Sequence, residues 1–100
     1  MDPQEINQLI AELQRCYART QGQAAFLDLK QSELRPGDQI SLWGFMETKE
    51  QLAMQQSVLW GQAHLARQII AKNKIQVDVK TATILKEIFV YADNGRLTGK

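Results

Sequence analysis

The stretch from Met46 to Lys74, METKEQLAMQQSVLWGQAHLARQIIAKNK, has no proline and a single glycine, Gly61. It reads as one long helix, and a chain of 100 residues can fold only in ways that accommodate it. A straight helix over these positions extends ~40 Å at 1.5 Å per residue, whereas a compact domain of this length has a radius of gyration of only ~13 Å. The helix therefore bends at Gly61 or protrudes. Glycine inside a helix costs about 1 kcal/mol relative to alanine, so its presence predicts either a bend or a close approach of another backbone at Gly61, Ala63 and Ala66.

At 3.6 residues per turn, Leu52, Leu59, Ala63, Ala66 and Ile70 fall along one line of this helix. Met54, Val58, Leu65 and Ile69 form a second apolar line, roughly a third of a turn away, with Gln51, Gln55, Gln62 and Asn73 beside or between the two. A helix with one apolar stripe packs on its own domain and gives water the rest. Two stripes separated by amides predict two contact surfaces. The line through Leu59 and Ala66 is assigned to an intramolecular hairpin, and the line through Val58 and Leu65 to a partner or a dimer.

The first helix is announced by Asp2-Pro3-Gln4-Glu5, where Asp2 caps free amides, Pro3 suits the first turn and Glu5 stands where a capping box places its acid. Ile6, Leu9, Ile10, Leu13 and Tyr17 share a face, which Ala24 and Leu27 extend if the helix continues past Gly22; a break there is the alternative. Arg35-Pro36-Gly37-Asp38 is a turn signature. The alternation in Gln39-Ile40-Ser41-Leu42-Trp43 predicts a short extended connector that lays Ile40, Leu42 and Trp43 on the helices. Past the long helix, Ile84, Leu85, Ile88, Phe89 and Ala92 form a helical face. They predict a helix from about Lys80 to Ala92 stopped by Asn94-Gly95, with a loose tail from Arg96 to Lys100. The β-branched and aromatic content of 75–91 makes a β-hairpin the alternative.

The fold expected is thus mainly α: an antiparallel helical hairpin or small bundle, with a short extended connector and a C-terminal helix, all in one domain spanning residues 1–100. Its 12 basic side chains against 11 acidic ones give no strong overall field for nucleic acid or membrane. Residues 1–50 carry five basic and eight acidic side chains and residues 51–100 seven and three, so the halves differ as −3 and +4. That difference suits an intramolecular or head-to-tail dimer complement. The single cysteine makes no intramolecular disulfide, and the N-terminus lacks a basic stretch followed by an apolar one, so the cytoplasm is the expected location. No apolar run approaches the ~20 residues needed to span a bilayer. The 13 glutamines are scattered through helical patterns and read as uncharged helix surface.

No constellation of residues compels a reaction. Cys16 as nucleophile and His64 as base lie on different predicted helices, and a buried structural cysteine is the preferred reading. One His and one Cys fall short of a zinc site, so no metal is expected. Glu47 and Glu50 read as acids near a helix N-terminus. The glycines match neither a phosphate loop nor a dinucleotide fingerprint, and no cofactor is expected. The chain is therefore read as a non-enzymatic interaction module, a small adaptor or regulator that forms a homodimer or other homo-oligomer and binds a protein partner. Its interface residues are Met54, Val58, Trp60, His64, Leu65, Arg67 and Ile69; tryptophan and arginine are types enriched at binding hot spots. The alternative is a small dimeric nucleic-acid-binding regulator contacting phosphates through Arg67, Lys72, Lys74, Lys80 and Lys86.

Overall fold

A computed structural model describes residues 2–98 of the chain. It is mainly α, with three helices, α1 (Pro3–Ser32), α2 (Gln39–Lys72) and α3 (Val79–Thr98), and no strand among the described residues. The hairpin alternative for the C-terminal region is therefore set aside.

Each helix begins where a carboxylate meets free amides. Asp2 Oδ1 accepts from the Glu5 amide at 2.8 Å, with Pro3 opening the first turn of α1. Asp38 Oδ1 accepts from the Ile40 and Ser41 amides at 3.1 and 3.3 Å, after Gly37 has turned the chain at φ +81°. Asp78 Oδ1 accepts from the Thr81 amide at 2.6 Å. The end of α2 is closed by Lys74 at φ +51°, whose amide donates to the Ala71 carbonyl at 3.3 Å while the Ile75 amide donates to that of Ile70 at 3.0 Å. This left-handed cap turns the chain toward α3.

Hydrogen bonds from Thr81, its side chain first and then its amide, hold the Asp78 carboxyl below the usual carboxylate range. Because the folded value is depressed, the contribution of this cap is complete above the ordinary range near pH ~4 and is lost as pH falls through the folded value. Thermal melts on acidification below about pH 4 should therefore show α3 loosening, and Asp78→Ala should remove part of that pH dependence.

Three sequence expectations are corrected, and the open choice at Gly22 is decided. The segment 39–43 is the first turn of α2 and not an extended connector: the Asp38 cap prevails over an alternation only five residues long. Ile40 and Trp43 stay 79% and 64% exposed and do not lie on the helices. Helix α1 runs unbroken through Gly22, where nothing stands within 4 Å of an added Cβ. Gly22→Ala should accordingly stabilise the chain by ~0.5–1 kcal/mol, read as a raised urea midpoint. The third helix passes through Asn94-Gly95 to Thr98, because Gly95 is buried against the Gln56 side chain and tertiary packing outweighs a local stop signal. Arg96 to Thr98 therefore belong to α3 and not to a tail, while Gly99 and Lys100 lie outside the described residues. Finally, Gly61 is exposed with open space beside it, so no backbone among the described residues approaches it, while Ala63 and Ala66 are buried.

The helices run alternately up and down, and α3 covers only part of the pair formed by α1 and α2. The core gathers Leu13 and Cys16 from α1, Leu59, Ala63 and Ala66 from α2, and Leu85, Ile88 and Ala92 from α3. Tyr17 links α1 to α3, its hydroxyl donating to Glu87 at 3.4 Å and its ring set edge-on to Tyr91 at 5.1 Å. Burial and the Glu87 charge raise its pKa. Past Thr20 on α1 and before Leu52 on α2, the two helices continue as an arm in which Thr48 is the buried residue, its hydroxyl turned back onto the Gly44 carbonyl at 2.7 Å. The molecule measures 55 × 21 × 19 Å with a radius of gyration of 16.5 Å. An unbent helix as long as α2 extends ~51 Å, so α2 sets the long axis and protrudes instead of folding at Gly61.

Candidate protein-interaction surface

Helix α2 divides cleanly between inside and outside. Leu59, Ala63 and Ala66 are fully buried, Leu52 is buried and Ile70 half-buried. On the other line Met54 is 70% exposed, Val58 49% and Leu65 51%, while Ile69 is half-buried. Leu65 also forms one wall of a groove of about 220 Å³ between α1 and α2, completed by Leu9, Glu12, Leu13 and Gln62. Within it the Gln62 side-chain oxygen is buried and accepts no hydrogen bond from the described residues.

The remaining interface candidates do not form a single patch. Trp60 is half-buried and stacks on His64, ring centroids 5.0 Å apart and planes within 7°. His64 also meets the Gln68 amide at 3.2 Å. Arg67, expected beside them at the interface, reaches instead to α3. Its guanidinium donates to both Asp93 carboxylate oxygens at 3.0 and 3.2 Å and lies 4.9 Å from the centre of the Phe89 ring. The length of the side chain carries its charge across to the neighbouring helix. Of the basic run, Lys72 ends α2, Lys74 stands in the following turn, and Lys80 and Lys86 are on α3; all four are exposed.

Cys16 is buried, and the Gln55 amide donates to its Sγ at 3.4 Å. Burial raises its pKa, against weaker opposing effects of Arg19 and Gln55. His64 is exposed on α2 among Trp60 and Gln68, so the structure does not bring the two together. Among the described residues no group of three or more His, Cys, Asp or Glu side chains gathers in a way able to hold a metal ion. None of the helices is long and apolar enough to cross a membrane, as judged over the described residues. Glu47 and Glu50 do not sit at a helix N-terminus, because α2 starts at Gln39; they lie in its third and fourth turns.

One exposed apolar region runs against the sequence reading, which covers Ile40, Leu42 and Trp43. Phe26 and Leu29 on α1, with Ile40, Leu42, Trp43 and Met46 on α2, stand exposed around the arm. The signal was present in Asp38: taken as a helix cap, it places Ile40 and Trp43 three apart on one helical face. Comparison of the chain with protein-family models, with curated proteins and with solved structures finds no match.

Proposed function

We propose that the protein is a non-enzymatic interaction module, a small adaptor or regulatory protein of the cytoplasm, which self-associates through the exposed line of α2 and offers a further surface to a protein partner. The observation that carries this reading is the contrast within one helix: Met54, Val58 and Leu65 are left in water on a helix whose other apolar line is buried. Scattered exposed apolar residues are ordinary, whereas a row at helical spacing is the pattern of a helix that packs twice. The exposed apolar side chains of the arm are the candidate surface for the second protein. The cytoplasmic assignment rests on the lone, buried cysteine.

Against a nucleic-acid reading, Arg67 is held by Asp93, and the four lysines are divided between the end of α2, the turn after it and α3. Light scattering after size exclusion tests the proposal: the mass should rise above that of one chain as concentration increases. A strictly monomeric mass at tens of micromolar overturns it.

A further inference from the structure

The exposed side of α2 carries a repeat of seven. Gln51, Val58, Leu65 and Lys72 form one column and Glu47, Met54, Gly61 and Gln68 the other, with steps alternating between three and four, and all of these residues are exposed. That is the spacing of a seam presented to another helix. Its middle is apolar and its ends are polar and oppositely charged, Glu47 at one and Lys72 at the other. Lys72, in the last turn, complements the negative end of the helix. Glu47 is too far from the N-terminus for the same explanation, and no ion pair holds it within the chain among the described residues.

We infer that the occupant of this seam is a second copy of the chain lying antiparallel to the first. The inference rests on the self-association proposed above and specifies its geometry. In the register that faces one column with the other, Glu47 meets Lys72 of the second copy, Gln51 meets Gln68, Met54 meets Leu65 and Val58 meets Gly61. Each pairing occurs twice about a two-fold axis passing between Leu59 and Trp60. Gly61, with open space where a Cβ would stand, gives the Val58 side chain room and lets the helices approach. A parallel pair would set Glu47 against Glu47 and Lys72 against Lys72, so charge complementarity selects the antiparallel one. The arms then project from opposite ends, their tips ~60 Å apart at 1.5 Å per residue, and the dimer presents two identical sets of the arm's exposed apolar side chains.

Charge reversal tests this with the full chain. Glu47→Lys and Lys72→Glu are at exposed positions, so each variant should keep its helical circular dichroism. Each alone creates two like-charge contacts per antiparallel dimer and should weaken self-association ~10-fold or more in analytical ultracentrifugation at low salt. An equimolar mixture restores opposite charges at both ends and should recover dimers close to wild-type affinity. In a parallel pair neither variant changes the number of like-charge contacts. Wild-type dimers whose association is unaffected by the single substitutions, or is not restored on mixing, would therefore overturn the antiparallel seam and leave self-association standing. A wild-type chain that stays monomeric would remove both.

Discussion

Leu59→Ala should lower stability by ~2–5 kcal/mol. Leu59 has no exposed surface and lies in the cluster to which all three helices contribute. Removing its branched end leaves a cavity whose walls are held by separate helices and cannot all close on it. Small domains hold only ~5–15 kcal/mol in total, and for a chain of this size each kcal/mol moves the melting temperature by ~4–8 °C. A fall of ten degrees or more at every protein concentration is the expected result. Ile88→Ala, fully buried on α3, should behave alike, whereas a change of a degree or two at either position would mean that this cluster is not the core.

Val58→Glu and Leu65→Glu should fail in the opposite way. Both side chains are about half exposed, so a carboxylate there stays in water in the single chain, and the dilute protein should melt within ~0.5 kcal/mol of wild type. In a pair of chains the same carboxylate is brought against Gly61 or Met54 of the second copy and loses its water without gaining a cation. Association should be abolished over the range in which the wild-type mass grows, and the concentration dependence of wild-type melting should vanish with it. Loss of stability comparable with that of Leu59→Ala, without any change in mass, would count decisively against the second line as a surface for a partner.

The division of α2 was legible because both of its apolar lines follow the helical period, and a period of 3.6 is a property of the sequence. Leu59, Ala63 and Ala66 could be assigned to the inside for the same reason. What was not legible depended on other helices. Asn94-Gly95 is a good stop in isolation, and the contact of Gly95 with the Gln56 side chain, 39 positions earlier in the chain, leaves no local mark. Arg67 was assigned to the interface from its own helix alone, since its partner Asp93 comes from 26 positions further along the chain. Ile40 and Trp43 were expected to be covered. Their exposure follows from the reach of α3, which is set by tertiary packing and leaves no mark near position 40.

The partial cover of the hairpin by α3 also governs how the chain opens. Backbone amides of α2 between Leu59 and Ile70 are shielded by helices on two sides, and their exchange with solvent requires the core itself to come apart. Those between Gln39 and Gln51 have α1 for shelter and Thr48 as the buried side chain, so they should exchange through a smaller opening, with lower protection than the amides of 59–70. A single uninterrupted helix thus belongs to two units of different cooperativity, a resilient one anchoring the chain and a softer one that can reshape itself while the anchor holds.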